Sequence, residues 1–350
     1  MGKLTTSGRR SVSRRTILQG AAALVGVGAL GLRPSLAQDA GLVALVHTQA
    51  AGDNGPVDSM IAALKALGAE KGVPTRSVYA QDPATYEAIF TGLANAGAAV
   101  IVSTFNAVAE PFKALAPSYP NTKWIQIFGD PMDPPIPNVV TISYDYYLGC
   151  YLSALFGAKM SATGKIGYIG GVSIPPLNAD LNAMKQAVAA VGSDRSVTGA
   201  FVGSFQDPTK GHEIASQMFQ DGVDYIQTDA AATNNGIIQA ASEGANRMVS
   251  AGSPPEFEVG PQTVISIVNL DFGKSLTLEV TKALGSDWVG GTHVHTGLGT
   301  GVVEFQLSPT FLEKGPADLV AKAESVWPEI EQAKADIVSG KLKVEFNTVV

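Results

Sequence analysis

The chain has 350 residues, 45% of them apolar and 16% charged, a composition that excludes disorder and allows a large buried core over about two domains. Its formal net charge is −7, but residues 1–37 hold six basic side chains and no acid. The rest therefore carries 18 basic against 31 acidic groups, a net −13 that excludes an electrostatic footing on nucleic acid or anionic lipid. The single cysteine, Cys150, excludes a disulfide framework and any multi-cysteine metal site.

The first predicted element is an address. Ser13-Arg14-Arg15-Thr16-Ile17-Leu18 precedes an apolar stretch over 21–32, then Arg33, Pro34 and the small-x-small site Ser35-Leu36-Ala37. A charged start, a short apolar middle and a small-residue end describe a removable export signal over 1–37, and the stretch falls short of the ~20 residues that span a bilayer. The arginine pair resembles the twin-arginine signal, with an ordinary secretory signal as the alternative. Either sends a mature chain beginning near Gln38 to the periplasm, and no cysteine at the cleavage point indicates a lipid anchor.

Beyond it, strands and helices alternate. Leu42-Val43-Ala44-Leu45-Val46 is a continuous apolar run, the pattern of a strand buried on both faces, and Val57, Met60, Ile61, Leu64 and Leu67 keep helical spacing. Strands follow over 77–80, 99–102, 124–128 and 139–143, with helices from about Pro83 and Ala107 between them. A second set carries helices over 147–160, 177–191 and 208–220, and strands over 165–169, 197–202 and 225–228. Next come a strand over 264–268, a helix over 272–284, a strand from Val302 to Phe305, and helical spacing from Leu319 to Ile337.

Alternation at this spacing implies an α/β protein of two doubly wound parallel-sheet lobes with a ligand cleft between them. The expected division is 38–144 for the first lobe, with about 260–290 returning to it, and 145–259 for the second, with about 291–350 returning. Tyr144-Asp145-Tyr146 and the stretch 252–260 are the expected connections. Ligands in such sheets sit beyond the carboxyl ends of the strands, so strand-end loops are where binding residues belong.

Catalytic signatures are missing. Gly297-Leu298-Gly299-Thr300-Gly301 runs into a strand rather than opening a helix, which is the wrong geometry for phosphate, and no Walker loop, H-E-x-x-H or G-x-S-x-G occurs. His293 and His295 share one face of a strand without a third ligand spaced nearby, so they read as ordinary half-exposed histidines. Cys150 reads as a buried thiol. No enzyme, metal or cofactor is expected.

Several segments resemble the basic membrane protein family of ABC-transporter solute-binding proteins, which includes purine nucleoside receptors. They are 42–46 followed by Asp53-Asn54; Gly164-Lys165-Ile166-Gly167-Tyr168-Ile169-Gly170-Gly171 with Ile174-Pro175; and Val202-Gly203-Ser204-Phe205-Gln206-Asp207-Pro208-Thr209-Lys210-Gly211, then Gly222-Val223-Asp224-Tyr225-Ile226. The resemblance implies a type I periplasmic binding fold, its lobes joined by three crossovers. It also implies a small-molecule ligand, nucleobase-like or nucleoside-like, passed to an ABC permease in the inner membrane rather than transformed.

Candidate ligand residues follow from these positions. Phe205 stands between a strand and a Pro208-started helix, where its ring can face the cleft and stack on a base; the alternative is a core phenylalanine. Asp229 ends the strand over 225–228, where its carboxylate can accept N–H groups of a purine edge or cap the next helix. Asp53 and Asn54 serve either the ligand or a helix cap, and Phe105 and Asn106 end another strand in the same way. Asn269 occupies the place where nucleoside-binding relatives carry a lysine, and Gly252 with its neighbouring serines replaces an aspartate for the ribose hydroxyls. Lacking both, the chain points to a free purine-type nucleobase. A ligand-sensing receptor subunit and an exported flavodoxin-like enzyme are the competing functions.

Overall fold

The computed structural model describes residues 41–52 and 55–350. The proposed export signal and Asp53-Asn54 lie outside them.

Two six-stranded sheets organise the chain. The first contains β1 (Val43–His47), β2 (Thr75–Tyr79), β3 (Val100–Thr104), β4 (Lys123–Ile127), β5 (Val139–Tyr144) and β11 (Thr292–Thr296), in the order β11-β5-β4-β3-β1-β2 and parallel throughout. The second contains β6 (Lys165–Gly170), β7 (Ser196–Phe201), β8 (Tyr225–Asp229), β9 (Met248–Ala251), β10 (Val264–Leu270) and β12 (Val303–Leu307), in the order β12-β10-β9-β8-β6-β7, with β12 antiparallel to β10. Every residue of β1, β3 and β9 is buried, the signature of strands covered on both faces by crossover helices.

Helices alternate with the strands: α1 (Pro56–Lys71), α2 (Tyr86–Asn95) and α3 (Ala109–Leu115) serve the first sheet. The second has α4 (Tyr146–Met160), α5 (Pro175–Val191), α6 (Pro208–Gln220), α7 (Asn234–Ser242) and α8 (Glu256–Val259). The chain ends with α9 (Phe272–Leu284), α10 (Pro309–Lys314) and α11 (Ala317–Val338). Helix α4 is buried on almost all sides, packed against the second sheet, α5 and α11. It lies so close to β10 that a Cβ on Gly149 would stand 2.4 Å from Val268.

The chain passes between the sheets three times: from β5 into α4, from β10 into α9, and from β11 to β12. These crossings correct two expectations. The block 260–290 does not return whole to the first lobe: β10 stays in the second sheet, while α9 packs on α1, where Gly273 N donates to Ser59 Oγ at 3.1 Å. The strand that completes the first sheet is β11, from the stretch 291–350 assigned to the second lobe. Residues 252–260 join β9 to β10 within one sheet and are no lobe connection, whereas Tyr144-Asp145-Tyr146 is one. A strand's apolar run reports that it is buried, not which sheet buries it.

Candidate functional site

The second lobe brings two of the expected residues to one spot. At the end of β6, Gly170 lies between Phe201 of β7 and Asp229 of β8. The next residue, Gly171, donates its N–H to Asp229 O at 2.9 Å and accepts Gly203 N and Ser204 N on its carbonyl at 2.7 and 3.1 Å. These bonds fold the loop so that the Phe205 ring lies on Gly171, where a Cβ would be 2.3 Å from ring carbons. Only glycine allows that approach. Asp207 then caps α6 through Lys210 N at 3.0 Å, with Pro208 at the first helical position. The same Asp207 donates its N–H to Thr233 Oγ1 at 2.9 Å, tying the Phe205 loop to the loop after β8. The aspartate and proline of the Phe205–Gly211 motif thus build a helix start that aims the ring.

Asp229 is not a helix cap. Neither the helical turn over 231–233 nor α7 has a side-chain cap, and Asn234 Oδ1 accepts from Ala230 N at 3.0 Å and from Thr228 Oγ1. The Asp229 carboxyl instead meets that of Asp180, an α5 residue only 2% exposed. Burial and the Asp229 charge push Asp180 well above the usual carboxylate range, which favours Asp180 as the donor in the bond between the two carboxyls. Burial also lifts Asp229, to about 6, despite that bond. Tyr168 Oη donates to Asp180 Oδ2 at 3.5 Å. Cys150 adjoins the pair, and burial raises its thiol far above the reactive range.

Glu256 completes the acidic side of the lobe. Its carboxylate accepts Gly252 N at 2.8 Å, Ser253 N at 2.7 Å and Ser253 Oγ at 3.0 Å. The N–H groups of Gly252 and Ser253 are therefore engaged within the loop. Asp180 and Glu256 were missed in the sequence. The signal for Asp180 was an acid on the apolar face of α5, beside Leu177, Leu181 and Met184.

The first lobe contributes an aromatic group. Phe105 has φ 66 and ψ 163, a backbone region suited to glycine whose cost is of order 1–3 kcal/mol. Three bonds hold it there: Phe105 N to Ile127 O at 2.8 Å, Gln126 Nε2 to Phe105 O at 3.1 Å, and Val108 N to Phe105 O at 3.4 Å. Its part-exposed ring tilts against Phe128 and Phe272, with centroids 5.8 and 6.5 Å away. Asn106 has its amide committed: Oδ1 accepts Gln126 Nε2 at 3.1 Å and Asp130 N at 3.2 Å, and Nδ2 donates to Asp130 Oδ2 at 2.6 Å. Asn269 is part-exposed near the end of β10, opposite Glu304 of β12.

A cavity of about 490 Å³ opens between Gln49, Ala50, Ala51 and Gly52, which follow β1, and Phe205 with Gln206 of the second lobe. Phe205 is half-buried and lines this space rather than joining any of the buried core clusters. Elsewhere, His293 and His295 sit on the edge strand β11, with ring centroids 4.7 Å apart and Ser143 Oγ 3.0 Å from a nitrogen of each. Among the described residues no group of three or more metal-ligating side chains is assembled. No helix among them is long and apolar enough to cross a membrane.

A family model described as "Bmp: ABC transporter substrate-binding protein PnrA-like" matches residues 40–336. Basic membrane protein A2 of Borrelia garinii subsp. bavariensis is 27% identical over 268 residues, 75% of this chain and 76% of that protein. Among solved structures, an ABC transporter system solute-binding protein from Aeropyrum pernix K1 superposes with TM-score 0.72 at 22% identity, covering 87% of this chain and 92% of the other. A transcriptional activator of the comK gene from Bacillus halodurans gives TM-score 0.73 at 15% identity, over 87% of this chain and 100% of its own. At such identity these two structures speak for the fold alone, that of type I periplasmic solute-binding proteins. The match across nearly all of the described chain settles the relationship: the protein belongs to the Bmp family of PnrA-like ABC transporter substrate-binding proteins, and is a solute binder rather than an enzyme.

Proposed function

We propose that this chain is the periplasmic solute-binding component of an ABC importer, that it takes a purine-type heterocycle, the free nucleobase over the nucleoside, and that it hands it to an inner-membrane permease. The observation that carries the reading is the junction at Gly171, which holds the cavity-lining Phe205 ring and bonds the Asp229 strand end. Phe205 stacks on the flat ring system, and Asp229 accepts N–H groups from its edge. Phe105 contributes from the first lobe, and Asp53 and Asn54, which follow the cavity-lining Gly52 in the sequence, are assigned to the ligand from the sequence alone. Asn106 acts by holding the Phe105 turn, and Asn269 stands at the crossover with no positive charge to offer. The engagement of Gly252 and Ser253 with Glu256 supports a ligand without ribose. Export is assigned to the twin-arginine-type signal over 1–37.

Titration calorimetry of the mature protein against adenine, guanine, hypoxanthine, xanthine and their nucleosides tests the ligand class. Binding of a base with weaker or absent binding of its nucleoside is expected; tight nucleoside binding without base binding refutes it. Gly171→Ala tests the ring's placement. The added methyl must displace Phe205, so affinity for the bound base should fall about tenfold with little change in melting temperature. An unchanged affinity would put the ring outside the contact.

A further inference from the structure

Helix α5 presents three amide side chains at fourfold spacing, Asn178, Asn182 and Gln186, and all three hold the main chain of the protein's own C-terminal segment. Gln186 binds Glu345 at both ends of its amide: Nε2 donates to Glu345 O at 2.8 Å and Oε1 accepts Glu345 N at 2.9 Å. Asn182 Nδ2 donates to Asn347 O at 2.8 Å and to Val349 O at 2.7 Å, and Asn178 Nδ2 donates to Thr348 O at 3.2 Å. Residues i, i+4 and i+8 lie on one face of a helix, so the row is a built feature of α5. The tail over 343–350 has no regular secondary structure, and Phe346, though 58% exposed, rests edge-on against Tyr147 of α4 at 5.2 Å between centroids.

We propose that this face of α5 is a binding site for an extended peptide main chain, and that its occupant is the C-terminal segment of the same molecule. The contacts are made to carbonyls and an N–H rather than to side chains, so the site reads backbone direction and spacing, as strand addition does at a sheet edge. Its apolar anchors are Phe346 on Tyr147 and the part-buried Val344. Because the segment is tethered through α11, occupation in cis is intramolecular and favoured over any free peptide of equal intrinsic affinity. The occupant also reaches the solute-binding lobe: Asn178, which holds Thr348, accepts on Oδ1 from Ser173 Oγ at 3.0 Å, in the loop that begins with Gly171.

The test uses the full mature chain. Amide hydrogen exchange at Glu345 should be at least tenfold faster in Gln186→Leu than in the unaltered protein, with exchange in both sheets unchanged; equal protection at Glu345 overturns the proposal. Removing 345–350 gives the second arm. The truncated chain should bind an acetylated Val344–Val350 peptide saturably in an NMR titration, with shifts on α5 that vanish when Asn182 is replaced by leucine. A peptide of shuffled sequence that keeps valine first and phenylalanine third should bind within a few-fold. No saturable shifts on α5, or shifts indifferent to Asn182→Leu, overturn the site. A concentration-dependent dimer of the full chain that dissociates on removing 345–350 would place the segment on a second copy and overturn the assignment in cis.

Discussion

Replacing Asp229 with asparagine should stabilise the ligand-free protein at pH 7.5 by on the order of 2–3 kcal/mol and flatten its stability between pH 4 and 7. Burial raises Asp229 from the ordinary 3.8 to about 6, so the folded state prefers the neutral carboxyl. The stabilisation that preference supplies is complete below about pH 4 and is lost as the pH climbs through 6. Above that the folded protein carries an enclosed carboxylate whose one side-chain partner is the Asp180 hydroxyl. An asparagine Oδ1 accepts that same bond without the charge. Asp180 is shifted in the same direction, well above its ordinary range. Urea unfolding at pH 4.5 and 7.5 is the measurement, and equal pH dependence in the two proteins refutes the reading. Solute affinity should move the other way: it should rise through pH 6 in the unaltered protein as the carboxylate forms, and fall in Asp229→Asn by the roughly 1.5–3 kcal/mol of a charge-assisted hydrogen bond.

Phe205→Ala should weaken binding of the purine base by about 1–3 kcal/mol while leaving the melting temperature nearly unchanged. The two halves of that expectation come from one placement. The ring is half-buried and lines the cavity, so its removal opens no closed void and loses little packing. Phe156 shows the contrast: fully buried, it meets Tyr225, Phe305 and Trp327 edge-on and belongs to the fold. Calorimetry and a thermal melt on the same sample decide between them. A large loss of stability with intact affinity would assign Phe205 to the core.

Within the site, legibility followed the range of the interaction. Phe205 and Asp229 were readable because each stands a fixed number of residues from a strand end and a helix start, and the Asp207-Pro208 pair marks that start locally. Asp229 was ambiguous for the same reason, since a cap and a ligand contact begin from the same position. Only the structure showed that no side chain caps the helical turn after it. Asp180 was out of reach: it approaches Asp229 from a helix 49 positions earlier, and an acid on an apolar face announces burial without naming its partner. The commitment of Asn106 to Asp130 likewise depends on two strands ending side by side.

By itself the sequence determined the alternation of buried strands and amphipathic helices, hence two parallel-sheet lobes, and carried the resemblance to the family. Those properties are written in neighbouring residues, because strand burial, helix period and capping are short-range. Tertiary structure decided which sheet each late strand joins, that β10 and β11 exchange the lobes expected of them, and that the Asp180 and Asp229 carboxyls meet. It also decided that the C-terminal segment lies along α5. Each of these depends on groups far apart in the chain meeting in space, and their pairing energies act only after the lobes have closed around their cores.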